Sequence, residues 1–382
     1  MYKIREYIPF NKPYITELDC QFFKDIKKNF YRLSGDGVYT KKVNKWLESY
    51  CKSGKALLTH SCTAALEMSA ILMNIKKGDE VIMPSYTFVS TANAIVLRGG
   101  VPRFVDIRKD TLNIDEKLIE ESINKKTRAI IPVHYAGVGC EMDKIIDIAK
   151  RHNLYIVEDS AQGIMASYKG KPLGSIGDFG TFSFHETKNI ISGEGGALIV
   201  NNSKFKDRAE VIREKGTNRS LFIKGEVDKY TWCDIGSSYL PSELISGFLF
   251  NQLKISNEIT KKRLTIWNNY HSLLENLEMK GLIKRPEIPV ECTHNGHIYY
   301  ILVDSKKRES IIKKLLEKKI QTSTHYVPLH SSKAGYKYCK TSGSLIKTNS
   351  IAASIIRLPI WIGLNIDQQK YIIESIEQIL KN

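Results

Sequence analysis

The chain has 382 residues, of which 42% are hydrophobic and 26% charged, and carries a formal net charge of +16. That length suits one large domain plus a smaller one, and the composition is that of a globular protein rather than a disordered one. No apolar run reaches the ~20 residues needed to span a bilayer, so no membrane partner is expected. MYKIREYIPF has no apolar stretch of export-signal type, and the expected location is the cytoplasm. Seven cysteines (Cys20, Cys51, Cys62, Cys140, Cys233, Cys292 and Cys339) are scattered, odd in number and without a C-x-x-C pair. That spacing argues against a disulfide framework and a structural zinc site, and no metal is expected. The positive charge fits an anionic partner or simply a lysine-rich solvated face. Runs such as KKIQTST and ESINKKTR are short and lack interleaved aromatics, so nucleic acid is not an expected partner.

In chain order, strands are expected at Lys55–Thr59, Glu80–Pro84, Pro102–Asp106, Ala129–His134, Tyr155–Asp159, Gly180–Phe184 and Ala197–Asn201. RAIIPV and LYIVED are continuously apolar and β-branched, as strands buried on both faces are. Between them, Glu141–His152 places Met142, Ile145, Ile146 and Ala149 on one helical face. Strand–helix alternation implies a mostly parallel sheet covered by helices, with ligands beyond the carboxyl ends of the strands. After Pro241 the pattern changes. SELISGFLFNQLKISNEITKKRLTIWNNYHSLLENL reads as one long connecting helix. A strand at His297–Val303, a helix with Ile311, Ile312, Leu315 and Leu316 on one face, and a closing helix with Ile372, Ile373, Ile376, Ile379 and Leu380 follow. The expected domains are 1–245 and 246–382, the second a small α+β unit that includes the connecting helix.

Four segments carry chemistry, and each also has a plain structural reading. In LLTHSCTAALEMSAILM a strand runs into a helix near Ser61, Cys62 and Thr63. Free N–H groups and hydroxyls there make a phosphate site, or merely an N-cap. In MPSYTFVSTANA, Tyr86 and Phe88 open a helix, as stacking aromatics or as core. In YIVEDSAQG, Asp159 ends a buried strand, as a partner for a cofactor's pyridine nitrogen or as a helix cap. In GTFSFHETKNIISGEGGALIV, Ser183 and Lys188 precede a glycine-rich turn between two strands. Such a lysine bonds a carbonyl if its pKa is lowered, and otherwise sits in solvent.

The combination, read with IPFNKP, GDEVIMPSYTFVSTANAI, VHYAGVGCEMD, VEDSAQG, SFHETKN, GEGG and HYVPLH, resembles the DegT/DnrJ/EryC1/StrS sugar aminotransferases over nearly the whole chain. The resemblance implies an α/β architecture of pyridoxal-phosphate (PLP) fold type I: a large domain with a mostly parallel seven-stranded sheet, plus the small C-terminal domain. It implies PLP as cofactor, with pyridoxamine phosphate (PMP) as its aminated form. Lys188 is then the lysine that bonds the cofactor and afterwards moves the proton. Asp159 pairs with the ring nitrogen, Gln162 sits by the ring hydroxyl, Phe88 stacks on the ring, and Cys62, Thr63 and Ser183 surround the phosphate. Family members carry G-Y-N-Y-R where this chain has Gly236-Ser237-Ser238-Tyr239-Leu240, so Ser238 takes the place of an Asn that reaches the neighbouring subunit's phosphate. A homodimer with a shared active site is expected.

SFHETKN, REKGTNRS, DKYTW and DIGSSYL resemble the members that aminate C4 of dTDP-4-keto-6-deoxy-D-glucose, giving dTDP-4-amino-4,6-dideoxy-D-galactose for surface polysaccharides. Glutamate is the expected amino donor. His185, Glu186, His325, Tyr326 and His330 are the expected substrate contacts. Glu186 is included because a carboxylate buried beside a reacting carbon is costly unless paired. Three other readings stand beside this one. An aminotransferase acting on another nucleotide-linked keto sugar fits the same motifs. A dehydratase of the same fold has histidine in place of the lysine. A non-catalytic PLP-binding regulator has no need of Lys188 and Asp159 together.

Overall fold

A computed structural model describes residues 6–29 and 33–381, so the first five residues of the segment read for an export signal lie outside the described residues. The strands are β1 (Ala56–Thr59), β2 (Glu80–Pro84), β3 (Val101–Val105), β4 (Thr127–Ile130), β5 (Tyr155–Asp159), β6 (Ser167–Tyr168), β7 (Lys171–Pro172), β8 (Phe179–Ser183), β9 (Gly196–Val200), β10 (Cys292–Thr293), β11 (Tyr299–Leu302), β12 (Lys340–Thr341) and β13 (Ile355–Leu358). The large sheet has the order β1-β9-β8-β5-β4-β2-β3-β12. From β8 to β12 neighbouring strands are parallel, whereas β9 is antiparallel to both β1 and β8. Every residue of β1, β2, β8 and β9 is buried, which is why those segments lack polar alternation.

All seven expected strands are present, but the sheet has eight. The addition, β12, comes from the C-terminal part and pairs with Arg103 and Phe104 at the β3 edge. Both its residues are exposed, so no apolar pattern marks it. It is held by Ser342 N–H donating to the Phe104 carbonyl (2.8 Å) and by the Lys340 ammonium on Glu80 Oε1 (2.9 Å). A short strand of this kind covers an edge that would otherwise pair with other chains. A second addition is the β6–β7 hairpin, whose turn residues Lys169 and Gly170 both have positive φ (46° and 73°), as a two-residue hairpin turn requires.

The long connecting helix divides. Helices Glu243–Lys254 and Ser256–Leu273 meet at Ile255 (φ −106°, ψ 15°), and Glu275–Met279 forms a separate turn. The break follows from burial on two different cores. Leu249 and Leu253 pack with Phe182 and Ile199 of the large sheet. Ile266, Trp267 and Tyr270 pack with Ile311, Leu315, Ile356, Leu358, Ile372 and Ile376 around the antiparallel β11–β13 pair. We propose that the domain division lies at this break rather than at 245/246. Ile8 also belongs to the second core and bridges to Ile320, so the N-terminal strap is bound to the C-terminal unit. Leu316, expected on the buried face of helix Arg308–Glu317, is 53% exposed, because Ile311 and Leu315 already fill the narrow contact. Among the described residues, no helix is long and apolar enough to cross a membrane.

Candidate active site

The carboxyl ends of β1, β2, β5 and β8 converge on one cavity of about 650 Å³. After β1 the chain turns into helix Cys62–Leu72, with Ser61 as N-cap accepting from the Ala64 N–H at 3.1 Å. Gly196, the first residue of β9, lies against that turn so closely that a Cβ there would come within 2.2 Å of the Ser61 carbonyl carbon. Only glycine lets sheet and helix N-terminus meet in this way. Around the exposed N–H ends stand Ser61, Cys62, Thr63, Ser90 and Ser183, with Thr63 and Ser90 joined at 2.7 Å. Hydroxyls and free N–H groups at the start of a helix favour an anion such as a phosphate.

Asp159 ends β5 and is 4% exposed. Its Oδ2 accepts from the Thr91 hydroxyl at 2.7 Å, itself joined to Thr87, and its Oδ1 accepts from the Ala161 N–H at 3.2 Å. Burial raises its carboxyl above the usual range, only partly opposed by these donors and by Lys188 and His134. A cation docked on its free lone pairs would offset that cost, as the protonated nitrogen of a pyridine ring does. Lys188 rises from the loop after β8 into the same cavity. Among the described residues no hydrogen-bond or ion-pair partner reaches its amine. Burial lowers its pKa, which favours the neutral, nucleophilic form, while Cys62 and Asp159 pull the other way. Burial pushes the Cys62 thiol up, so Cys62 is a neutral neighbour rather than a second nucleophile.

The structure thus gathers Cys62, Thr63, Phe88, Asp159, Gln162, Ser183, His185, Lys188, His325 and Tyr326 around one space. Gln162 is committed to protein partners: its Oε1 accepts from the Ala136 N–H (2.6 Å) and its Nε2 donates to the Tyr326 hydroxyl (2.8 Å). Tyr326 stacks on His325 with ring centres 3.8 Å apart, and His325 Nδ1 meets the Tyr135 hydroxyl. Phe88, the N-terminal boundary residue of the next helix, stands at the rim and is 57% exposed.

Three expected site residues lie elsewhere. Glu186 is exposed and outside the cavity wall, which removes the burial argument made for it. His330 is tied by its Nδ1 to Ser85 Oγ (2.8 Å) at the end of β2, also outside the wall. Ser238 is on the outer surface, bridged to Glu214. Sequence reasoning missed Thr91, Ser90, His297, Arg263 and Arg357, all of which line the cavity. The signal for Arg357 was present, as a single charge inside the apolar run IIRLPIW.

The profile of the DegT/DnrJ/EryC1/StrS aminotransferase family matches residues 14–377. The chain belongs to that family. It is an aminotransferase. Among its relatives, the spore coat polysaccharide biosynthesis protein SpsC of Bacillus subtilis is 29% identical over 99% of this chain and 98% of its own length. The UDP-4-amino-4-deoxy-L-arabinose–oxoglutarate aminotransferase of Shewanella sediminis is 30% identical over 99% of both chains. The sugar aminotransferase Spr1654 of Streptococcus pneumoniae, described as putative and solved in its PMP form, superposes with a TM-score of 0.90 at 26% identity, covering 98% of this chain and 99% of that one.

Proposed function

We propose that this protein is a PLP-dependent sugar aminotransferase that moves an amino group from glutamate to C4 of dTDP-4-keto-6-deoxy-D-glucose, giving dTDP-4-amino-4,6-dideoxy-D-galactose for surface polysaccharide synthesis. The observation that carries the reading is the meeting of an unpartnered, pKa-lowered lysine with a buried carboxylate, across a cavity whose other end is a hydroxyl-lined helix N-terminus. PLP, when bound, supplies an aldehyde that carries the amino group and a ring that withdraws electrons. Asp159 would hold the ring nitrogen protonated. Ser183, Cys62, Thr63 and the first N–H groups of helix Cys62–Leu72 would hold the phosphate. Phe88 and Gln162 would meet the ring. Lys188 would anchor the cofactor and move the proton at the reacting carbon. His185, His325 and Tyr326 are the wall residues placed to meet the sugar.

The names of the two curated relatives support the substrate class. One serves polysaccharide synthesis, and the other is named for a nucleotide-linked 4-amino sugar and for oxoglutarate, the keto acid that glutamate becomes. The net charge of +16 favours encounter with an anionic nucleotide diphosphate. Seven free thiols fit a reducing cytoplasm. The deciding experiment offers purified enzyme and glutamate the 4-keto and the 3-keto sugar at equal concentration, with the amine identified by NMR. The 4-keto sugar is expected to have the higher specificity constant and to yield the galacto amine. A preference for the 3-keto sugar overturns the C4 assignment, and a gluco product overturns the stereochemistry.

The homodimer with a shared site rests on Ser238 lying on the surface and on Phe88, Val89, Leu97 and Trp232, which are 57%, 47%, 67% and 82% exposed. Phe88 and Val89 are adjacent exposed apolar residues of the kind that contact surfaces use. Mixing Lys188→Ala chains with chains inactivated in Gly236–Leu240 is expected to regenerate activity in heterodimers. A fully active monomer by sedimentation would refute the shared site.

A further inference from the structure

The first turn of helix Val89–Val96 runs between the two ends of the cavity. Ser90 Oγ meets Thr63 Oγ1 at the end that favours an anion (2.7 Å), and the next residue, Thr91, donates its hydroxyl to Asp159 Oδ2 at the other (2.7 Å). Thr91 is fully buried, as is Thr87 one turn earlier. A threonine inside a helix ordinarily turns its hydroxyl to water or back to the carbonyl four residues before it. Thr260 and Thr265 follow that habit, donating to the carbonyls of Ser256 (2.8 Å) and Lys261 (3.1 Å). Thr91 does neither, and its hydroxyl leaves its own helix for the end of β5.

The direction of this contact follows from counting protons. An ionised carboxylate only accepts, and a threonine hydroxyl has one hydrogen to give. With Asp159 charged, that hydrogen goes to Oδ2, so the Thr87 hydroxyl, 2.9 Å from that of Thr91, is the donor of the pair. The two hydroxyls form a chain from Thr87 to Thr91 to Asp159 that ends on the charge. The carboxylate's other contact is the Ala161 N–H on Oδ1, from its own turn, so among the described residues Thr91 is the one side chain that donates to it. The titratable groups around it come from other elements: Lys188 on the loop after β8, His134 after β4, Cys62 at the start of its helix, and Tyr326. None of these side chains bonds the carboxylate. Burial works against its charge, and the Thr91 hydrogen bond is the strongest influence opposing that effect.

We propose that Thr91, backed by Thr87, is a positioning residue that fixes the Asp159 carboxylate in the orientation and charge state that meet a ring cation, an inference that rests on the reading of Asp159 as partner of the ring nitrogen. A hydrogen bond that ends on a charged group is stronger than one between neutral groups. Tied at Oδ2 to one helix and at Oδ1 to its own turn, the carboxylate is fixed in rotation, and its remaining lone pairs are left for the cavity that Asp159 lines. One ring serves both half-reactions, so the effect of Thr91 falls on turnover rather than on the binding of either substrate.

The test compares Thr91→Val, which keeps the shape and removes the donor, with Thr91→Ser, which keeps the donor, and repeats the valine change in an Asp159→Asn background. Turnover of the holoenzyme is measured. Calorimetry gives the affinity of the cofactor-free full chain for pyridoxine 5′-phosphate, which has the ring nitrogen and the phosphate but no aldehyde to bond Lys188. Thr91→Val is expected to lose about 10- to 100-fold in kcat and about 10-fold in affinity for pyridoxine 5′-phosphate, the scale of one hydrogen bond to a charged group, with each substrate's KM changed less than about 3-fold. Thr91→Ser is expected to stay within about 3-fold of wild type, because its hydroxyl gives the same hydrogen. In the Asp159→Asn background the valine change is expected to add less than about 3-fold to either loss, as it must if Thr91 acts through Asp159. A serine variant as impaired as the valine one, unchanged affinity in Thr91→Val, or losses that multiply in the double variant overturn the inference. Should valine at 91 prevent folding, Thr87→Val decides: a loss of about 3-fold or more that vanishes beside Asp159→Asn supports the chain, and no loss overturns it. Wild-type turnover and affinity in Asp159→Asn alone would instead remove the reading of Asp159 on which the inference rests.

Discussion

Replacement of Lys188 by alanine is expected to reduce turnover by at least about 10⁴-fold, the upper range for loss of a positioned acid–base group, with the folded state intact. The amine makes no contact that stabilises the protein, since it has no partner among the described residues and burial works against its charge. Removing it therefore costs little stability. The loss falls on chemistry alone, because no second group is poised to replace it. Cys62 is held as a neutral thiol, and Arg263 is bound to two carbonyls. The variant should still bind PLP, through Asp159 and the helix N-terminus, but reversibly, and dialysis should strip it. Retention of more than a few per cent of wild-type turnover would place the essential amine elsewhere.

The second large effect is expected from Asp159→Asn. Asparagine caps and hydrogen-bonds nearly as well as aspartate, so a merely structural role predicts little change in rate. If Asp159 holds the ring nitrogen protonated, kcat falls by about 10³-fold, the scale of one lost electrostatic partner in a closed site. Stability moves the other way. Burial raises the folded carboxyl above its unfolded value, so its contribution is present in full below the unfolded pKa and is lost as pH rises through the folded pKa. Asparagine has no such loss. Without cofactor, the variant should melt no lower than wild type at acid pH and gain relative to it as pH rises above the usual carboxylate range. With PLP the wild type recovers, because the ring cation offsets the buried charge, and the variant gains less from the cofactor. A variant that keeps its rate, or melts lower without cofactor at neutral pH, contradicts this role.

The parts of the fold legible in the sequence are those fixed by burial on both faces. β1, β2, β5, β8 and β9 are short apolar runs ended by turns, and the motif residues Thr59, Asp159 and Ser183 fall at or next to their carboxyl ends. The unread parts are set by contacts distant in the chain. β12 is a polar pair of residues made into a strand by docking on β3. The break at Ile255 arises because one continuous apolar pattern serves two cores. Within the site, motif spacing pointed to Lys188 and Asp159, which line one cavity, and to Glu186, which lies exposed outside its wall because the loop carries it outward. Thr91 was hidden among the small residues of VSTANA, although its hydroxyl is 2.7 Å from Asp159. Arg357 sits more than 160 residues from the lysine, and only the approach of β13 to the large sheet brings it to the same wall.

The most direct test of the account is reduction of the PLP-loaded enzyme with borohydride, followed by digestion and mass mapping. The account predicts a single phosphopyridoxyl group, on the peptide that contains Lys188, and loss of that label in Lys188→Ala. A label on any other lysine, or none, would contradict it.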